Sequence, residues 1–365
     1  MGNNRILILA NKYTTILNFR LEVVEALVNN GYEVYVSLPF HERVKEIDAV
    51  GAKTIPTEIS GHGTNPIEDF KLMLTYKKLI RRLKPSLVLT YTIKPNIYGG
   101  MACSLNKVPY IANITGLGTA VENGGLMQKL TVFLYKLGME KAKTIFFQNN
   151  NNRAFFEKHH IAVSKHESLP GSGVNLSRFA LMDYPPDGEV HFAFISRIMR
   201  EKGIEQYLDT ARALKSKYPN AFFHVCGFGS EEYESKMKYL NDEGLIIYHG
   251  LLNDVRVMLK DAHCVIHPTF YPEGMSNVLL ESAASGRPII STDRPGCREA
   301  IDNGVNGFIV HEQDSEDLIE KTEHFLKLTY EQRKEMGIKG REKVTNEFDR
   351  NIVVNRYLEK AEQYC

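Results

Sequence analysis

Residues 264–281 read Cys264-Val265-Ile266-His267-Pro268-Thr269-Phe270-Tyr271-Pro272-Glu273-Gly274-Met275-Ser276-Asn277-Val278-Leu279-Leu280-Glu281, and the chain runs on through Ser282-Ala283-Ala284-Ser285-Gly286-Arg287 to Pro288-Ile289-Ile290. The apolar run at 263–266 predicts a buried strand, 276–285 a helix and 288–291 the next strand. Strand, loop, helix and strand in so short a span is a βα unit of a parallel sheet.

The same alternation continues outward. In the first half the sequence predicts strands at 5–10, 33–38, 86–91, 109–113 and 144–148, with helices at 18–30, 67–83 and 127–142. In the second half strands are predicted at 190–195, 221–226, 245–248, 263–266, 288–291 and 307–310. Helices there fall at 203–217, 231–240, 276–285 and 315–328, followed by one long C-terminal helix. Pro170-Gly171-Ser172-Gly173 and Asp183-Tyr184-Pro185-Pro186-Asp187-Gly188 separate the halves and read as a connection. The expected architecture is α/β: two Rossmann-like domains, 1–180 and 181–346, whose parallel sheets face across a cleft. Ligands of such sheets bind beyond the carboxyl ends of the strands.

Charge divides along the same line. The 365 residues hold 45 Lys plus Arg and 44 Asp plus Glu, a net +1, yet residues 1–180 carry +9 and residues 181–365 carry −8. A uniformly basic nucleic-acid binder is excluded, and the basic half is expected to meet an anionic surface. The five cysteines are scattered and never form a CxxC pair, so neither a zinc site nor a disulfide framework is expected. Ile6 to Ala10 is too short for a signal-peptide core, and no stretch approaches the ~20 apolar residues of a membrane span. A cytoplasmic protein is expected.

The chemistry-bearing residues follow predicted strands. Gly274 suits the turn into the helix, and the N–H groups at the helix start, around Met275, Ser276 and Asn277, suit a phosphate. Glu273 and Glu281 lie eight residues apart, one in the loop and one on the helix, and a carboxylate accepts two hydroxyl hydrogen bonds from a sugar or ribose diol. After the strand 190–195 comes Ser196-Arg197-Ile198-Met199-Arg200-Glu201-Lys202-Gly203, which places a guanidinium and an ammonium where a diphosphate would lie. Each feature alone has a blander reading: Glu273 favouring the helix dipole, Glu281 and the cations solvated. Their convergence at strand ends favours a binding site. Cys226-Gly227-Phe228-Gly229-Ser230 suits a loop under a nucleotide but lacks the GxGxxG spacing, and Thr115-Gly116-Leu117-Gly118-Thr119 is its counterpart in the first half. The chain has no Asp-x-Asp pair, no GxxxxGK[ST] loop and no GxSxG elbow, so no metal and no separate cofactor is expected. Arg197 and Lys202 would take a metal ion's place.

The segments EGMSNVLLESAASGRPII (273–290) and SRIMREKGIEQYL (196–208) resemble those of the retaining glycosyltransferases of family 4, which have the GT-B fold. The likeness extends to Gly173-Val174-Asn175-Leu176-Ser177-Arg178-Phe179, to His249-Gly250 through Asp254-Val255, and to Phe348–Tyr357, which resembles a last helix that crosses back to the N-terminal domain; residues 347–365 are assigned to it. The resemblance implies a metal-independent, retaining transfer of a sugar, an N-acetylhexosamine or hexose, from a UDP-sugar. It implies that Arg197 and Lys202 hold the diphosphate, Glu273 the donor sugar, Glu281 the ribose, and Gly227, Gly274, Met275, Ser276 and Asn277 other parts of the nucleotide sugar. Thr115 stands where many members have a His. Asn18-Phe19-Arg20 with Thr115-Gly116-Leu117-Gly118 is similar to a bacterial subgroup, N-acetylgalactosaminyltransferases among them, that extends polyprenyl-diphosphate-linked sugars for glycoprotein, capsule or O-antigen assembly. Asn18, His62, Thr115 and Gly116 are then candidates for the acceptor or donor-sugar side. A GT-B sugar-nucleotide 2-epimerase and a nucleotide-sugar-binding protein without turnover are the other readings.

From Phe70 to Val121 there is no Asp or Glu and there are eight Lys and Arg, six of them on or beside the helix 67–83. That basic stretch is expected to touch the anionic inner face of the cell membrane, although a helix packed on its own sheet with a solvated basic face gives the same pattern.

Overall fold

The computed structural model describes residues 4–59, 65–117, 121 and 124–365. It divides into two compact units, Met1–Gly173 with Asn351–Cys365, and Val174–Arg350.

The first unit holds β1 (Arg5–Leu9), β2 (Glu33–Leu38), β3 (Lys53–Pro56), β4 (Leu87–Tyr91), β5 (Tyr110–Ile114), β6 (Thr144–Phe147) and β7 (His166–Ser168). They lie in the order β3-β2-β1-β4-β5-β6-β7, each pair parallel. β4, β5 and β6 are buried along their whole length, as strands covered by helices on both faces must be. The second unit holds β8 (Val190–Ile195), β9 (Ala221–Cys226), β10 (Ile247–Gly250), β11 (Cys264–His267), β12 (Ile289–Thr292) and β13 (Gly307–Val310). Their order is β10-β9-β8-β11-β12-β13, again parallel. In both sheets the winding reverses beside the first strand, between β1 and β4 and between β8 and β11. Such switch points open a crevice at the strands' carboxyl ends.

Several expected elements change. The helix expected at 18–30 is Leu21–Asn29, preceded by a separate short helix, Tyr13–Leu17, that was not expected, and β10 lies two residues later than 245–248. β3 and β7 are sheet edges, short and only partly buried, so neither carries the apolar run that marks a strand. The long C-terminal helix is two helices, Tyr330–Glu347 and Arg350–Tyr364. They part because the backbone at 348–350 pairs with Val174 instead: Val174 N–H donates to the Phe348 carbonyl (2.8 Å) and Arg350 N–H to the Val174 carbonyl (3.0 Å). For the same reason the first boundary falls at 173/174 rather than 180/181: Val174 and Phe179 are buried in the core of the second unit.

Arg350–Tyr364 supplies Val353, Val354, Tyr357 and Ala361 to one face of the first sheet. The Tyr357 hydroxyl accepts from Asn113 Nδ2 (2.9 Å), and its ring lies 5.4 Å from that of Phe146. A buried polar chain continues from there: Asn96 Nδ2 donates to the Asn113 carbonyl (2.8 Å), and the Thr90 hydroxyl donates to Asn96 Oδ1 (2.7 Å).

Candidate active site

Arg197, Lys202, Glu273, Gly274, Met275 and Ser276 lie in the two loops that leave β8 and β11, at the switch point of the second sheet, and Asn277 opens the helix that follows the second loop. The loops are stitched together. Phe270 N–H and the Thr269 hydroxyl both donate to the Glu201 carbonyl, at 2.9 and 3.1 Å. Gly203 adopts φ +77°, and a Cβ there would sit 2.0 Å from the Pro268 carbonyl oxygen, so glycine is needed both for the left-handed turn and for the close approach. Gly203 then leads directly into the helix Ile204–Lys215.

This stitching brings Lys202 to Glu273. Its ammonium donates to Glu273 Oε1 in an ion pair with the lysine side chain 9% and the glutamate side chain 20% exposed. Tyr271 contacts both cations: Lys202 Nζ is 4.8 Å and the Arg197 guanidinium 5.4 Å from its ring centroid, within cation–π range. Arg197 is otherwise exposed. Behind the pair the groups are neutral. His267 is buried at the end of β11, and burial, then Lys202, hold its imidazole well below its ordinary range. Cys297 is fully buried, its thiol pushed up to about 12 by burial first and Glu273 second. Over this neutral floor Glu273 is the counter-charge of Lys202, and the guanidinium of Arg197 stands exposed beside the pair.

The rest of the expected set is distributed around this centre. Gly227 follows β9 with φ +153°, and a Cβ there would lie 1.8 Å from the Ser196 carbonyl oxygen, so the β9 loop presses on the loop that carries Arg197. Arg197, Gly227, Phe228, Leu251, Leu252 and Val255 help line a hollow of about 130 Å³. Ser276 precedes the helix Asn277–Ala284, and its N–H donates to the Gly296 carbonyl (2.7 Å), so that N–H is committed within the protein. Met275 is core. Glu281 stands apart from the Lys202–Glu273 pair: it is half-buried on the helix, its carboxyl pushed up to about 7 by burial, against the opposing pull of Arg350 and then Arg178. The two glutamates therefore have separate cationic neighbours.

Tyr271, His267 and Gly296 were not expected at the site. Gly296 was legible in principle, since Asp293-Arg294-Pro295-Gly296 follows β12 as a turn; at φ +88° a Cβ there would meet the Gly274 carbonyl oxygen at 2.9 Å. Among the described residues no group of three or more His, Cys, Asp or Glu is placed to hold a metal ion.

The remaining candidates belong to the first unit. Asn18 is exposed after β1, at the end of the helix Tyr13–Leu17, and Thr115 and Gly116 are half-buried just after β5. His62, Gly118 and Thr119 lie outside the described residues. The loop after β4, which the sequence did not single out, holds the β-branched Thr92 at φ +70° and a π-helical turn at Pro95–Gly99. Both are uncommon conformations that concentrate at functional sites.

Comparison with known proteins bears on the family and the fold. A family model described as Glycosyl transferase 4-like matches residues 5–149, and one described as Glycosyl transferases group 1 matches residues 184–343. The N,N'-diacetylbacillosaminyl-diphospho-undecaprenol alpha-1,3-N-acetylgalactosaminyltransferase of Campylobacter jejuni is 28% identical over an alignment that covers 97% of each chain. Among solved structures, a glycosyltransferase from Rickettsia africae superposes with a TM-score of 0.81 at 17% identity over 100% of this chain and 99% of its own. Anabaena Alr3699/HepE in complex with UDP superposes with a TM-score of 0.81 at 14% identity, over 98% of this chain and 100% of its own. The chain belongs to the glycosyltransferases of GT-B fold, 4-like in its first half and group 1 in its second.

Proposed function

We propose that the protein transfers a sugar from a UDP-sugar to a polyprenyl-diphosphate-linked glycan, with retention at the anomeric carbon and without a metal ion, in the assembly of a bacterial surface polysaccharide or glycoprotein glycan. The observation that carries this reading is the Lys202–Glu273 pair with Arg197 beside it, held at the switch point of the second sheet. In the reaction the bond between the sugar's anomeric carbon and the phosphate oxygen breaks, and its electron pair stays on the diphosphate. Lys202 and Arg197 stabilise that charge, and the acceptor hydroxyl bonds to the same carbon as its proton passes to the departing phosphate. Cations already in place lower the barrier because nothing must reorganise when the charge appears; one such group is worth about 10²–10³ in rate. Glu273 holds Lys202 in wait and accepts hydrogen bonds from donor-sugar hydroxyls. Glu281 takes the ribose, and the hollow at Gly227 and Phe228 the base.

The acceptor class is supported by the Campylobacter relative, which acts on a diphospho-undecaprenol substrate, and the donor class by the UDP bound to the Anabaena protein. No helix among the described residues is long and apolar enough to cross a membrane. Contact with a lipid acceptor would be made from the surface, where the helix Pro66–Leu83 exposes Lys71, Lys78, Arg81 and Arg82.

Incubation with a panel of sugar nucleotides and an undecaprenyl-diphosphate-linked acceptor tests the proposal. One donor should be turned over in the presence of EDTA, with the anomeric configuration kept, and Lys202→Ala and Arg197→Ala should each lose about 10²–10³ in kcat. Turnover of no sugar nucleotide, or wild-type rates in both variants, would overturn it.

A further inference from the structure

The helix Gly125–Met139 has two unlike faces. Thr131, Val132, Tyr135, Gly138 and Met139 are buried, and the packing is close: a Cβ on Gly138 would lie 2.7 Å from Ile97 Cα, and the Tyr110 hydroxyl donates to the Gly138 carbonyl (2.7 Å). That contact fixes which side faces out. On the outer side Leu126 is 85% exposed, Leu130 47%, Phe133 56% and Leu137 42%. Their spacing of four, three and four residues makes one continuous stripe along the helix. Single exposed apolar residues are ordinary, but a row of four is not. Lys129 and Lys136, both exposed and seven residues apart, run along one edge of the stripe, and the helix has no Asp or Glu.

We infer that this stripe is an insertion surface for an anionic lipid bilayer, entering to the depth of its leucines and Phe133. The occupant is fixed by charge. A two-fold contact between copies would bring Lys129 and Lys136 against their own equivalents; lipid phosphates answer both. The layer around the helix points the same way. Gly125–Met139 packs beside Gly100–Asn106, which packs beside Pro66–Leu83, and all three lie over the same face of the first sheet. The exposed Lys71, Lys78, Arg81 and Arg82 therefore look outward from the same layer as the stripe. Among the described residues the exposed acids there are Glu58, Glu68 and Glu140, and Glu140 is paired with Lys141 (3.2 Å). Near an anionic surface each cation is worth roughly five-fold in partitioning. The stripe adds the part of the binding that salt does not remove.

This inference rests on the proposed lipid-linked acceptor, but its test needs no substrate. The full chain is floated with vesicles of phosphatidylcholine, with and without phosphatidylglycerol, at low and high salt. Wild type should float with the phosphatidylglycerol vesicles and keep part of that binding at high salt. The double variant L130Q/F133Q should lose ten-fold or more at either salt with an unchanged melting temperature, and K129E/K136E should lose only the salt-sensitive part. No flotation of wild type, or flotation of L130Q/F133Q within two-fold of it, overturns the inference. So does sedimentation showing a dimer that L130Q/F133Q abolishes. With a water-soluble short-prenyl acceptor, L130Q/F133Q should turn over at the wild-type rate; failure of every sugar nucleotide in that assay would count against the function alone.

Discussion

Lys202 and Glu273, 71 residues apart in the chain, form an ion pair that joins the loops leaving β8 and β11. Neither loop could hold its charge there alone. The lysine is shielded from water and the glutamate is its counter-charge, so removing either leaves the other poorly solvated. Glu273→Gln keeps the shape and removes the charge. It is expected to lower stability by on the order of 1–3 kcal/mol. A bound diphosphate replaces the missing negative charge, so UDP should raise the melting temperature of Glu273→Gln by more than it raises that of wild type. Thermal shifts with and without UDP check this; an equal or smaller shift would remove Lys202 from the diphosphate site.

Glu281 sets a different pH dependence. Its carboxyl is raised by burial to about 7, from an ordinary value of 4.5. A raised acid favours the neutral form in the fold, so its stabilising contribution is complete below about pH 4.5 and is lost as pH rises to about 7. Glu281→Gln removes this titration. Across that interval the wild type should lose on the order of 1–3 kcal/mol relative to the variant, and the two should run parallel above it. Denaturant melts at several pH values decide it; parallel curves throughout would mean the carboxyl is not desolvated.

Much of this site was legible in the sequence because strand ends are legible. Val190–Ile195 and Cys264–His267 are apolar runs that stop at Ser196 and Pro268, and the fold class follows from the alternation. The residues after them therefore belong, on sequence alone, to a sheet's carboxyl edge. What one sequence does not hold is the order of strands, and with it the adjacency of β8 and β11 that pairs Lys202 with Glu273. Glu281 shows the same limit. Periodicity put it on a helix, yet its cationic neighbours Arg178 and Arg350 come from the two ends of the second unit and meet it only on folding. Thr92 was invisible because nothing in Tyr91-Thr92-Ile93 marks a left-handed backbone, which sequence betrays reliably only through glycine.

A line of histidines crosses the second sheet and predicts acid sensitivity. His191 bonds to Glu189 through Nε2 (3.2 Å) and to His224 Nε2 through Nδ1 (2.8 Å), and His224 Nδ1 bonds to His249 Nε2 (2.9 Å). An ionised Glu189 only accepts, so each imidazole donates through Nε2 and accepts through Nδ1. A second proton on His224 would set two N–H groups against each other. Burial first, then His191 and His249, lowers its value to about 3 from 6.5. A depressed base contributes stability that is present above about pH 6.5 and falls as pH drops towards 3, opposite in sign to Glu281 over their shared interval. His224→Gln should narrow the loss by up to about 1.4 kcal/mol per pH unit below 6.5. If wild type and variant lose stability equally on acidification, the histidine line is not what protons attack.

Two glycines with the same backbone hand separate conformational strain from close approach. Gly203 has φ +77° and Gly244 φ +69°, but a Cβ on Gly203 meets the Pro268 carbonyl oxygen at 2.0 Å whereas one on Gly244 meets nothing within 4 Å. Gly244→Ala should carry only the left-handed penalty, about 1–2 kcal/mol, with UDP binding unchanged. Gly203→Ala carries that penalty and must also push the β8 and β11 loops apart. The Phe270–Glu201 hydrogen bond would stretch and Lys202 would move away from Glu273. A loss of more than about 3 kcal/mol is expected, with UDP affinity reduced at least ten-fold in whatever fraction remains folded. Denaturant titration and calorimetry on both variants measure the two effects separately. Equal losses, with UDP affinity intact in both, would mean that Arg197 and Lys202 are held by something other than the seam between these loops.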